Sequence, residues 1–167
     1  MKTPLILAFL LGSSLVFAQK KDVKSAEINL VGTYRLKMVD NIMADSSRIH
    51  LYGDNPKGIL MMDAAGNYAM EIYSGEGRPP FAANDKGKGT DEEYRAAVRG
   101  SNAHFGKYTV DAASHTIISD VVGATYPNWE NTQRKSRFTF DGKLLKYIVA
   151  VPTTGNAVRG EVIWERM

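Results

Sequence analysis

From Val31 to the C-terminus, apolar and polar residues alternate with a period of two, the spacing that places successive side chains on opposite faces of a strand. Tyr34, Leu36 and Met38 alternate with Thr33, Arg35 and Lys37, which predicts a strand with one dry and one wet face. Asn55-Pro56 and Gly58 punctuate a loop ahead of residues 59–62. Asp63-Ala64-Ala65-Gly66-Asn67 then turns that run into Tyr68, Met70 and Ile72, a predicted hairpin. Alternation stops after Tyr73, and the glycines and prolines of residues 74–89 predict a long loop. Thr90-Asp91-Glu92-Glu93 has the spacing of a capping box. A short helix is therefore expected there, with Tyr94, Ala97 and Val98 on one face and Gly100 at its end.

Strand spacing resumes around Phe105 to Asp111 and again over residues 116–122. A second loop, residues 123–131, carries Tyr126-Pro127-Asn128-Trp129. Three closing runs follow at about 132–140, 143–151 and 157–166, the first two joined by Asp141-Gly142, the strongest hairpin signal in the chain. The pattern amounts to about eight antiparallel strands interrupted by one helix-bearing excursion. A sheet of that size without flanking helices must deal with its open edges, and closing on itself removes them. The predicted fold is all-β: an eight-stranded antiparallel up-and-down barrel with one short helix in a long loop. No internal repeat is present to support a propeller or solenoid.

The first 18 residues read differently. Lys2 supplies a positive start, Leu5 to Leu11 is apolar, and Val16-Phe17-Ala18 offers small residues at the −3 and −1 positions of a cleavage site before Gln19. An uncleaved anchor is the alternative, but the run is short of the ~20 residues a spanning helix needs and contains Gly12, Ser13 and Ser14. The expected organisation is a signal peptide over 1–18, a polar tether over 19–29 and one domain over 30–167. The protein is then exported, periplasmic or secreted. Of 167 residues, 44% are hydrophobic and 23% charged, a composition that excludes wholesale disorder. The absence of cysteine excludes disulfides, thiol nucleophiles and iron–sulfur clusters, so packing must stabilise the fold. The formal charge of +3, one less without Lys2, is too small to imply a nucleic-acid partner. No later stretch reaches membrane length, and a monomer or weak homo-oligomer is expected.

Several short stretches, in this order and spacing, resemble the lipocalin-like domain family of the calycin type. They are Gly32-Thr33-Tyr34, Asn55-Pro56-Lys57-Gly58, Arg78-Pro79-Pro80-Phe81, the helix from Thr90 to Gly100, and Phe105-Gly106-Lys107-Tyr108. Tyr126-Pro127-Asn128-Trp129, Phe138 with Asp141-Gly142, and Trp164-Glu165-Arg166 complete the set, which covers essentially the whole domain. Lipocalins usually open the barrel with Gly-x-Trp; here Tyr34 stands where the tryptophan would be. A ring at that place closes the narrow end and can stack under a guanidinium from the last strand, for which Arg166 is placed. The resemblance implies a barrel that binds small apolar molecules, and some relatives look like cyclases or isomerases. Fold alone decides between neither.

The candidate chemistry is sparse. His50, His104 and His115 are scattered with no HxH or HExxH spacing, so no metal site is expected. There is no GxSxG elbow, and Gly75-Glu76-Gly77 lacks the ending of a phosphate loop, so no cofactor is expected. Arg134 and Ser136 share the parity of Phe138 and Phe140. If those rings point inward, the two polar residues either hold a ligand's carboxylate or carbonyl, or Arg134 reaches solvent or an internal acid from the strand end. Tyr68, Tyr108 and Tyr147 have the same assignment, as hydroxyl donors to a ligand or as packed core. Asp120 becomes a candidate general base if it points inward, but apolar residues on both faces of its strand leave the orientation open. His104, with the parity of Tyr108 and close to one mouth, is either an acid–base group or a packed histidine. Trp129, Tyr126 and Phe81 lie in loops as a lid or a plug, and Arg78 beside Phe81 can present a cation to an acidic ligand.

The leading expectation is an exported binding protein that holds a small, largely apolar or amphipathic ligand in the barrel. The alternative is a cofactor-independent cyclase or isomerase that uses the same cavity with a tyrosine, Asp120 or His104 for proton transfer. A third reading is a packed module that recognises another protein through its Trp129 loop.

Overall fold

The computed structural model describes residues 28–167; the expected signal peptide and most of the tether lie outside the described residues. The elements are β1 (Gly32–Ile42), β2 (Arg48–His50), β3 (Lys57–Met62), β4 (Asn67–Tyr73), α1 (Asp91–Arg99), β5 (Ser101–Asp111), β6 (Thr116–Ala124), a 3-10 turn (Pro127–Trp129), β7 (Gln133–Phe140), β8 (Leu144–Val149) and β9 (Arg159–Arg166). Neighbours in sequence pair antiparallel from β3 to β9, β3 pairs with β1, and β9 returns to β1. Eight strands thus close into a barrel. The closing ladder is long, from Tyr34 opposite Arg166 to Ile42 opposite Arg159, so no strand edge of the barrel proper is left unpaired.

The period-two pattern breaks at one place. β1 carries a bulge at Lys37, between the pairs Leu36–Trp164 and Met38–Ile163. An extra residue in one strand reverses the parity beyond it. Val39 and Asn41 therefore face the interior in place of Met38, a correction to the simple alternation. Asp40 consequently points outward, yet it is buried: the three-residue β2 pairs beside it with His50 opposite, and the Arg48 and His50 side chains meet its carboxylate. The sequence pattern gives no sign of β2, whose three residues are all exposed.

At one end, the base, the barrel is filled by its own side chains. Tyr34, Trp164 and Leu145 are fully buried, with Leu36, Phe138 and Leu30 around them. Burying each aliphatic side chain of this kind contributes roughly 1.5–3 kcal/mol. The expected cation–ring contact is present: the Arg166 guanidinium lies 5.4 Å from the Tyr34 ring centre and 4.6 Å from that of Phe140. Arg166 Nη2 also donates to the Tyr34 hydroxyl at 2.9 Å and to the carbonyls of Asn29 and Val31, while Tyr34 donates to the Leu30 carbonyl at 2.7 Å. The base is hydrogen-bonded shut.

The capping box forms as expected: the Thr90 hydroxyl accepts from Glu93 N–H, and the Glu93 carboxylate accepts from Thr90 N–H. Its helix, however, buries no residue. Tyr94 instead packs on Phe81, with ring centres 5.5 Å apart, and its hydroxyl ties the loop through Gly89 N–H and the Lys86 carbonyl. Val98, expected on a packed face, stands 72% exposed at the other end of the barrel, the mouth. Among the described residues no helix is long and apolar enough to cross a membrane.

Candidate functional site

Beyond the packed base, the barrel interior holds a cavity of about 330 Å³, the lower end of the range of small-molecule sites. Leu60, Met62, Met70, Ile72, Ile117 and Val162 supply most of its apolar wall, as the inward positions of β3, β4, β6 and β9. At the rim stand Val98 and Arg99 from the end of α1, Tyr126 from the β6–β7 loop, and Pro152, Thr153 and Thr154 from the loop before β9. Asn41, turned inward by the β1 bulge, donates to the Thr154 carbonyl at 3.0 Å and holds that loop to the barrel.

One wall is a connected row of aromatic and polar groups. Tyr68 on β4 and His104 on β5 meet edge to face with ring centres 5.4 Å apart and 2.9 Å between the Tyr68 hydroxyl and His104 Nδ1. Trp129 meets His104 at 5.6 Å and Tyr126 at 5.7 Å, both edge to face. The Arg134 guanidinium lies 4.2 Å over the Trp129 ring. Trp129 is held for this role by its own loop. The Thr132 hydroxyl donates to the Trp129 carbonyl at 2.6 Å, Asn131 N–H donates to the Val121 carbonyl, and Asn131 adopts the left-handed conformation that asparagine tolerates.

β5, the strand that carries His104, approaches β6 closely at Gly106. Opposite Tyr68 on β5, it sits at a register shift where a Cβ would strike the Asp120 carbonyl of β6. Only a residue without a side chain permits that approach.

Burial sets the charge states in the wall. Removal from water, aided by the nearby Arg134 charge, lowers the His104 pKa to about 4, so the imidazole is neutral near pH 7. Burial raises the Tyr68 hydroxyl to about 12 and pushes Tyr147 upward as well, so both remain protonated donors. Tyr147 projects from β8 into the cavity with its hydroxyl 3.8 Å from the Met70 sulfur. Desolvation lowers the Arg134 pKa, but guanidinium groups remain charged in proteins.

Of the residues singled out from sequence, Tyr68, His104, Trp129, Arg134, Ser136 and Tyr147 come together on the cavity wall. Three do not. Tyr108 has the inward parity but sits toward the base, where its hydroxyl donates to the Asp63 carbonyl at 2.9 Å. Arg78 stacks over Tyr73 at 4.7 Å, outside the cavity. Asp120 is exposed on the outer face, where it accepts from Gln133 at 3.0 Å. Its strand pairs with β7 so that Ser119, not Asp120, stands beside Arg134. An outward, exposed carboxylate does not reach a molecule held in the cavity, so the geometry removes it as an internal base. Phe81, packed on Tyr94, is no lid either.

Ser119, Asn102, Tyr52 and Arg99 also line the cavity and escape sequence reading. β5 begins at Ser101, directly after the helix and four residues ahead of the expected start, which hides Asn102 although it shares the parity of His104. Ser119 follows from parity once Ile117 is known to face inward. Among the described residues no cluster of three or more histidines and acids gathers to hold a metal.

A comparison with curated proteins finds no match. The family model of the lipocalin-like domain matches residues 31–167, from the start of β1 to the end of the chain, and the protein belongs to that family.

Proposed function

We propose that this protein is an exported binding protein that holds one small, largely apolar molecule in the barrel cavity, with its polar end against the Tyr68–His104–Trp129–Arg134 wall. The observation that carries this reading is the cavity itself: about 330 Å³ with a mostly apolar lining and polar groups converging on one side, the usual make-up of a small-molecule site. A lipocalin-like fold supports small-molecule binding in general. Export rests on the leader pattern of residues 1–18.

Native mass spectrometry of protein purified from its host tests the binding reading directly, with a copurifying small molecule as the expected result. An empty spectrum, together with no thermal shift across a library of lipids and polyketides, overturns it. Export is tested by sequencing the N-terminus of the host protein, expected to begin at Gln19; an intact Met1 in the cytoplasmic fraction overturns that part.

One observation favours the cyclase or isomerase reading. A neutral imidazole in contact with a phenol in the wall of a mostly apolar cavity is a pair that can relay a proton without leaving a buried charge. On that reading, His104→Gln abolishes turnover while ligand affinity stays within about threefold, under 1 kcal/mol. Unaltered turnover removes His104 from the chemistry.

A further inference from the structure

The charges around the cavity are one-sided. Among the described residues no aspartate or glutamate lines it, whereas two arginines do, Arg99 at the rim and Arg134 in the wall. Of the seven arginines outside the cavity, four have a carboxylate partner: Arg35 meets Glu165, Arg48 meets Asp40 and Glu161, Arg95 meets Asp91, and Arg159 meets Glu161. Among the described residues the Arg134 side chain has neither an ion pair nor a hydrogen bond. Its one ordered contact is the face of Trp129. Stacking occupies the flat side of a guanidinium and leaves its N–H edge, the part that recognises planar anions, available to a ligand, and Arg134 lines the cavity.

A guanidinium cannot shed its proton to escape burial, so a partly desolvated one is most stable with a counter-ion. The hydroxyls of Tyr68 and Tyr147 and the neutral His104 line the same cavity. These can donate to or accept from a ligand, but none supplies negative charge. Arg134 stands at the mouth end of β7, while the apolar wall of Leu60, Met62 and Ile117 lies deeper.

From this placement we infer that the ligand is a monocarboxylate with an apolar body: its carboxylate pairs with the N–H edge of Arg134 near the mouth, and its body fills the apolar interior. One guanidinium matches one carboxylate in charge and in fork geometry, and a cavity with no acid excludes amines. This inference rests on the reading of the cavity as a binding site, and it adds the sign and class of the ligand.

The test uses three probes of equal chain length, decanoate, methyl decanoate and decylamine, titrated by calorimetry into the wild type, Arg134→Gln and Arg134→Lys. In the wild type decanoate binds at least about tenfold tighter than the ester, and the amine does not bind. Arg134→Gln brings acid and ester within about threefold by weakening the acid alone, and Arg134→Lys retains part of the preference. Melting curves of the ligand-free variants establish that they are folded. If ester and acid bind the wild type equally, or if the preference survives in folded Arg134→Gln, the carboxylate inference is overturned while the cavity remains a binding site. If none of the probes binds the wild type, the binding reading itself falls.

Discussion

The hydroxyl of Tyr68 lies 2.9 Å from Nδ1 of His104, joining two adjacent strands through side chains inside the barrel. The imidazole is held neutral, with its pKa lowered from 6.5 to about 4. In the unfolded chain it titrates near 6.5, so between those values the unfolded state binds a proton that the folded state refuses. Stability is therefore fully present above about pH 6.5 and falls as the pH drops toward 4, by up to roughly 3 kcal/mol for this one group. Urea unfolding at pH 7 and pH 4 checks this: His104→Gln is expected to lose about that much less than the wild type over the same interval. Equal losses would mean that His104 titrates normally.

Trp129 covers Arg134 and touches His104, so its removal is expected to show in binding before stability. Trp129→Phe keeps a ring under the guanidinium, whereas Trp129→Ala removes a contact of about 1 kcal/mol and opens the wall to water. Ligand affinity is expected to fall by about tenfold in the alanine variant and by much less in the phenylalanine variant, read by calorimetry. Identical affinities in both variants would show that the ring has no part in the site.

The base makes the opposite prediction. Tyr34→Phe leaves the Leu30 carbonyl without its donor and removes one of the three acceptors of Arg166 Nη2. Leaving such a carbonyl unsatisfied costs about 1–3 kcal/mol. Urea unfolding is expected to register that loss while ligand affinity stays unchanged, since Tyr34 is no part of the cavity wall.

His50 anchors β2 through a 2.7 Å contact between its Nδ1 and the buried Asp40, and that bond raises the His50 pKa. A raised histidine pKa adds stability that is complete below about 6.5 and disappears as the pH climbs through the folded value. Amide exchange protection at Arg48–His50, corrected for intrinsic rates, is expected to decrease from pH 6 to pH 9. Asp40→Asn should show the reduced protection throughout. Constant protection in the wild type would remove the anchor.

Much of this architecture can be read from alternation alone, and the exceptions share physical causes. Arg134, Ser136 and Phe138 fall on one face by parity, and the pairing of β7 with its neighbours keeps them there. The same rule places Tyr108 on the inner face but says nothing of height along the barrel, which is why it sits with Asp63 at the base and not in the wall. Asp120 lies in a strand with apolar residues on both faces, so its direction depends on long-range pairing that no local pattern encodes. The bulge at Lys37 is equally invisible because it depends on β9, far along the chain, and the three-residue, fully exposed β2 is too short to show an alternation. Trp129 is the useful counter-example: a large aromatic in a loop signals a site even where periodicity is silent.

The clasp at the base has a consequence for how the molecule can be handled. Arg166 grips the carbonyls of Asn29 and Val31, and Met167 N–H donates to the Thr33 carbonyl. Residue 29 and the C-terminus thus meet beneath the plugged floor, diametrically away from the entrance. A few linking residues would splice them, and the exposed Asp141-Gly142 bend offers a place to cut new ends. Such a circular permutant keeps every wall of the chamber, and a fusion partner hung from the C-terminus leaves the doorway clear.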